Sequence, residues 1–228
     1  MSRQFTLSDS LALGDLQVFL ERAQRVDDGS VRLICGSGVL AVYVSVLHPA
    51  GLLDHSPTVL GLRTFAATSP ESFDVVVPVR SMLARIEGQL VSAVESEPVT
   101  VSLPMEVNTV TWAAISPPRG GWHALDTLDE RVLDAAARAG IDEVAAAIPT
   151  GTGEQIVHRV RSEIWGRSID GYDFIPAGAG FAAVSLGFLS GSLLGDGEVT
   201  VFESGPWTRL TTKRGHVLVK RRAWTMAR

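Results

Sequence analysis

Apolar and polar residues alternate at Val31, Leu33 and Cys35 against Ser30, Arg32 and Gly36. A two-residue period of this kind predicts a half-buried strand. The β-branched run from Val39 to Leu47 follows the turn Gly36-Ser37-Gly38, which predicts a strand folded back on the first. Ahead of this pair, Phe5 and Leu7 open a short strand. Leu13, Leu16, Val18, Phe19, Leu20 and Ala23 then recur at helical spacing, with Glu21, Arg22 and Arg25 outward. Asp27-Asp28-Gly29 is a turn. Residues 48–57 read as a loop and residues 59–66 as a strand. The run from Phe73 to Val79 is a further strand that passes into a helix at Ser81, with Met82, Leu83, Ile86 and Leu90 on one face. Val99, Val101 and Leu103 alternate, as do Val107, Thr109 and Thr111 ahead of Trp112.

The pattern changes at Ser116-Pro117-Pro118-Arg119-Gly120-Gly121, a stretch unsuited to regular structure. It divides the chain into an antiparallel α+β domain, 1–116, and a helical segment with C-terminal hairpins, 122–228. The alanine-rich residues 126–139 predict a helix with Leu128, Val132, Leu133 and Ala136 inward and Gly140 as its stop. A short helix is expected at 142–148. Another, at 154–165, is opened by the capping box Thr152-Gly153-Glu154-Gln155. Alternating strands at 198–203, 207–212 and 216–220 close the chain, joined by Ser204-Gly205-Pro206 and Lys213-Arg214-Gly215. No internal repeat is visible. The expected fold class is α+β: a mostly antiparallel N-terminal part, a helical middle and a C-terminal β-meander.

Composition narrows the classes. The chain has 228 residues, 46% of them hydrophobic, enough to bury a core without staples. One cysteine, Cys35, excludes an intramolecular disulfide framework and a cysteine-based zinc cluster. Lys213 and Lys220 are the only lysines among 20 basic residues, a composition of GC-rich, actinobacterial type. The net charge of −5 hides a division. From Ser204 onward there are seven basic residues and no acidic one, whereas the first 203 residues carry 13 basic and 25 acidic side chains. Such an end can bind an anionic partner or dock on the protein's own carboxylates.

No secretory signal is visible, so a cytoplasmic location is expected. The uncharged run from Phe174 to Gly195 is long enough to cross a bilayer and spaces Gly187, Gly191 and Gly195 by four. Its Pro176, three serines and five glycines favour a buried segment closely approached by another element.

The candidate chemistry is sparse. Pro149-Thr150-Gly151-Thr152-Gly153-Glu154 lacks the Gly-Lys-Ser/Thr of a phosphate loop, and Thr152 as a helix cap explains its spelling. His48, Asp54 and His55 share a loop, but no metal-binding spacing such as His-Glu-x-x-His occurs. Ser37 lacks the glycine spacing of a nucleophile elbow. No metal or cofactor is expected. The C-terminal hairpins are richer, since Trp207, Arg209, Lys213, Arg214, Lys220, Arg221 and Arg222 gather cations and an aromatic in a short span, with Trp224 just beyond. Cations on a β-ribbon can track phosphates, and tryptophan can stack on a base.

Over 1–116 the order is strand, helix, strands, strand into helix, strands. It resembles one domain of the DNA sliding-clamp family. The phrase Asp74-Val75-Val76-Val77-Pro78-Val79-Arg80-Ser81-Met82-Leu83-Ala84-Arg85-Ile86 is similar to that family's strand–Val-Pro-x-Arg–helix crossing. Val99 to Leu103 falls where the family has its next strand. The remaining half of the chain does not continue the pattern. The resemblance implies contacts with protein or DNA and no active site.

Two readings of function follow. In the first, the chain is a non-catalytic binding or regulatory protein whose basic C-terminal face meets nucleic acid or an acidic protein. In the second, it is a small-molecule-binding protein or enzyme with a cleft between its halves, near 151–154 and 177–187. Self-association through the Gly187, Gly191 and Gly195 face would make it a homo-oligomer.

Overall fold

The computed structural model describes residues 3–27, 29–51, 54–108, 110–148, 153–191 and 197–221. It separates into two units, one of Met1–Val44 with Leu62–Ile115 and one of Ser45–Gly61 with Ser116–Arg228.

The first unit is built from β1 (Gln4–Leu7), α1 (Ser10–Val26), β2 (Ser30–Gly36), β3 (Val39–Leu47), β4 (Thr58–Thr68), β5 (Phe73–Pro78), α2 (Val79–Leu90) and β6 (Val99–Ser102). β3 and β4 each also lend residues to the second unit. The alternation read from the sequence sets the register. Val31, Leu33 and Cys35 of β2 lie opposite Val44, Val42 and Leu40 of β3, and opposite Val77, Val75 and Phe73 of β5. All nine are buried, so one face of the three strands is continuous core. The hairpin turn is Ser37-Gly38, with φ of 52° and 82°. This is the left-handed pair that suits a two-residue connection.

Asp9 caps α1 by accepting from the Ala12 N–H at 2.7 Å. Leu13, Leu16, Phe19, Leu20 and Ala23 are the buried stripe of α1, which packs against Met82, Leu83 and Ile86 on the buried face of α2. Arg32, on the opposite face of β2, forks onto Asp74 of β5 at 2.7 Å and donates to the Ala113 carbonyl at 2.8 Å. The alternation expected at Val107 to Thr111 gives no strand. Val107 N–H bonds the Val76 carbonyl, and Thr111–Ala114 forms a 3-10 turn that buries Trp112. Thr109 lies outside the described residues.

The second unit holds β7 (His123–Asp129), α3 (Glu130–Ala147), α4 (Glu154–Gly166), β8 (Ser168–Ile169), β9 (Tyr172–Pro176), α5 (Ala177–Ser185), β10 (Glu198–Ser204), β11 (Trp207–Thr211) and β12 (His216–Lys220). Two helix expectations are corrected. Residues 126–129 belong to β7, where Leu128 is buried opposite Val199. α3 starts at Glu130 and runs through Gly140 to Ala147, so the segments expected at 126–139 and 142–148 are one helix. Its inward set is Glu130, Leu133, Ala137 and Gly140, a 3–4 spacing that displaces Val132 and Ala136. Gly140 does not stop the helix because its bare Cα receives the Trp165 ring; an added Cβ would lie 2.2 Å from that ring.

α4 falls where expected, with Gly153 at its N-cap and no side-chain cap bond. Thr152 lies outside the described residues. The uncharged run becomes the end of β9 and the nine-residue α5. Among the described residues no helix is long and apolar enough to cross a membrane.

A common element order, invisible as sequence repeat, links the two units. Each has a strand leading to an Asp-capped helix, at Asp9 and at Asp129. Each has a second strand ending on a proline that is the N-cap of the next helix, at Pro78 and at Pro176. In each, the two helices pack on one another, α1 on α2 and α3 on α5. The fold is α+β with antiparallel strand pairs, and β10, β11 and β12 form the expected C-terminal meander.

Candidate functional site

The meander sorts its residues by parity. Val199, Val201, Leu210, Val217 and Val219 point to the buried side, where β12 packs against α5. On the opposite parity, register places Phe202 beside Arg209, Thr211 beside His216 and Trp207 beside Lys220. Of the cations and aromatics singled out in the sequence, this second parity carries Trp207, Arg209 and Lys220, together with the buried Leu218.

The structure distributes those residues unequally. Trp207 is 4% exposed and is a core residue, so it is no stacking platform for a base. The guanidinium of Arg209 lies 4.6 Å from the ring centroid of Trp122 and 4.4 Å from that of Phe202. Its Nε is buried without a hydrogen-bond partner among the described residues. Burial holds its pKa below the usual arginine value. His216 Nδ1 sits 3.1 Å from Thr211 Oγ1. Burial first, and the Arg209 charge second, push the imidazole pKa down.

Lys213 and Arg214 occupy the β11–β12 turn, which Thr212 closes by accepting from the Arg214 and Gly215 N–H groups. Arg214 Nη1 donates to the Leu189 carbonyl at 3.2 Å. Arg221 is spent inside the fold, with Nη2 3.4 Å from Glu203 and 3.2 Å from the Gly205 carbonyl. Arg222 and Trp224 lie outside the described residues. Arg209, Lys213, Arg214 and Lys220 therefore remain without a carboxylate partner among the described residues.

Sequence reading missed Trp122 and Phe202 as partners of Arg209. Trp122 stood next to an apparent linker, and only the β10–β11 register brings Phe202 to Arg209.

The sequence places a cleft near 151–154 and 177–187. Gly151 and Thr152 lie outside the described residues, and Gly178, Ala179, Gly180, Ala182 and Ala183 of α5 are buried. A Cβ on Gly180 would lie 2.5 Å from the Leu133 carbonyl oxygen. The second unit has a cleft of about 850 Å³ beside the 54–57 loop, α4 and the end of β12. Pro57, Phe174 and Val219 supply apolar walls, and Arg159, Arg167 and Arg221 supply cations. Arg167 is already paired with Glu143 at 2.6 Å and Glu163 at 3.2 Å.

Asp54, also in the cleft wall, accepts from Ala50 N–H, Ser56 N–H and Ser56 Oγ. Burial works to raise its pKa, and these bonds outweigh it, so the carboxyl lies below its ordinary value. His48 is engaged with Ser45 Oγ at 2.8 Å. Among the described residues no group of three His, Cys, Asp or Glu side chains could hold a metal ion.

Residues 1–109 match the family described as "Domain of unknown function (DUF8010)", and residues 117–224 match "Domain of unknown function (DUF8185)". No curated protein matches the chain. Among solved structures, the chain is similar to the DNA polymerase III subunit beta of Borrelia burgdorferi, at 8% identity and a TM-score of 0.53. That match covers 97% of this chain and 65% of the other. The DNA polymerase sliding clamp of Bacillus subtilis matches at 9% identity and a TM-score of 0.50, over 96% of this chain and 64% of that one. The sequence carried the resemblance only through residue 116, and the structural match extends it across both units. The chain spans just under two thirds of the length of these subunits, and over that length its fold is that of a DNA sliding clamp.

Proposed function

We propose that the chain is a non-catalytic binding protein on a clamp-type scaffold, and that it meets an anionic partner through the cations of its C-terminal meander. The carrying observation is that Arg209, Lys213, Arg214 and Lys220 have no carboxylate partner among the described residues. Unpaired cations on one ribbon attract phosphates or acidic side chains and give salt-dependent binding. Nucleic acid and an acidic protein are the two partner classes with this chemistry. Fluorescence anisotropy against short duplex DNA and against an acidic peptide, over a range of salt, tests the reading. Binding should weaken steeply with salt and fall about tenfold or more in a Lys213→Glu/Lys220→Glu double variant. Binding to both probes unchanged by that variant overturns it. Arg221 is unsuitable for this test because its charge already serves Glu203.

The cleft supports a second reading. Its volume, about 850 Å³, lies in the range of small-molecule sites, and Arg159 on its wall has no partner among the described residues. A thermal-shift screen of small organic acids would show stabilisation that Arg159→Ala removes. Stabilisation retained in that variant would place the ligand elsewhere.

A further inference from the structure

Arg209 is held in one orientation before any partner arrives. Its guanidinium carbon lies over the rings of both Trp122 and Phe202, 4.6 Å and 4.4 Å from their centroids. Trp122 is itself fixed, since its Nε1 donates to the Pro118 carbonyl at 3.2 Å. The Nε is buried and unsatisfied among the described residues, and no carboxylate stands against the charge. A part-buried cation with no counter-charge is a costly feature for a fold to keep. Arg209 is only part-buried, and the N–H fork of a guanidinium matches two oxygens of one planar anion.

We infer that Arg209, packed against Trp122 and Phe202, is a preorganised socket for a single carboxylate of an acidic protein partner. The inference rests on the anionic-partner reading above and names the partner class. Two observations favour a carboxylate over a nucleic-acid backbone. The rings that could have stacked on bases are stacked on the guanidinium instead. β10 beside β11 carries Glu198, and β7 beyond β10 carries Asp126; neither is paired with a cation among the described residues, and both would repel a run of phosphates laid across the ribbon. A lone carboxylate entering at Arg209 need not approach them.

The test follows the Arg209 Nε–H and Trp122 indole N–H resonances by NMR in the full chain. The probes are sodium acetate, a tetraglutamate peptide, inorganic phosphate and short duplex DNA. Acetate and tetraglutamate should shift both resonances saturably. The peptide should bind about tenfold more weakly to Arg209→Lys, which keeps the charge and loses the fork. Absence of any shift with tetraglutamate on the unmodified chain overturns the socket, whether or not the variant folds. Equal peptide affinity in Arg209→Lys does so too. Larger shifts with phosphate and duplex than with tetraglutamate would assign the site to nucleic acid and overturn the carboxylate assignment. The salt-dependent anisotropy of the Lys213→Glu/Lys220→Glu variant is read separately. Its failure with intact Arg209 shifts rejects the wider reading alone, and the converse rejects the socket alone.

Discussion

The ring of Trp165 rests where a side chain on Gly140 would otherwise stand. The same ring stacks on Phe181, with centroids 4.5 Å apart. One indole thereby joins α3, α4 and α5. Gly140→Ala would ordinarily gain about 1 kcal/mol of helix propensity. Here the added methyl must displace a packed ring, so a net loss of about 1–3 kcal/mol is expected. A urea midpoint at or above that of the parent chain would refute it.

Glu130 is 6% exposed and its carboxylate accepts from the Ser190 N–H at 2.8 Å and from the Ser190 hydroxyl. Its own N–H donates to the Gly197 carbonyl at 2.9 Å. Glu130→Ala removes the acceptor of two part-buried hydrogen bonds at once. A cost of about 1–3 kcal/mol is expected, with Glu130→Gln recovering part of it. Equal denaturation midpoints for the two variants would show that the acceptor oxygens contribute nothing.

Arg32 engages Asp74 with two nitrogens and Ala113 with a third contact. Lysine can carry the charge but cannot make the fork and reach the carbonyl together. Arg32→Lys is expected to lower stability by about 1–2 kcal/mol, and Arg32→Ala by more. Chemical denaturation of the two variants should rank them in that order.

Three groups make acid destabilising. Arg131, through its side chain and then its backbone N–H, draws the Asp129 carboxyl down to about 2. The Ala12 N–H and then Ser8 hold Asp9 low in the same way. Burial and the Arg209 charge lower His216. All three bind protons less readily when folded, so their stabilising effect is complete above the unfolded pKa values and is lost as pH falls. The His216 part should go first, below about 6.5, and the Asp part between about 4 and about 2. His216→Gln should flatten melting temperature against pH over the upper window and leave the acid limb. An upper limb unchanged by that substitution would remove His216 from the account.

Legibility in the sequence followed one-sided burial. β2 and α1 could be read because Val31, Leu33 and Cys35, and Leu13, Leu16 and Phe19, each mark a single inward face. β7 could not, since five of its seven residues are exposed and only Leu128 is buried. β9 and α5 failed for the opposite reason, their residues being apolar nearly throughout. Gly140 reads locally as a stop, and its meaning depends on Trp165, which is distant in sequence. At the candidate site the cations were visible as a cluster. Their fates were not, because Trp122, Phe202 and Glu203 decide which of them stay unpaired.

β3 and β4 pass through both units, and the 45–61 stretch belongs with residues that come more than fifty positions later. A single cut of the backbone therefore cannot yield both units whole. A fragment begun at the 116–121 stretch would lack Asp54 and Pro57 and with them one wall of the cleft. Separate expression of the two halves should give incomplete pieces, and any activity of this chain has to be assayed on it intact.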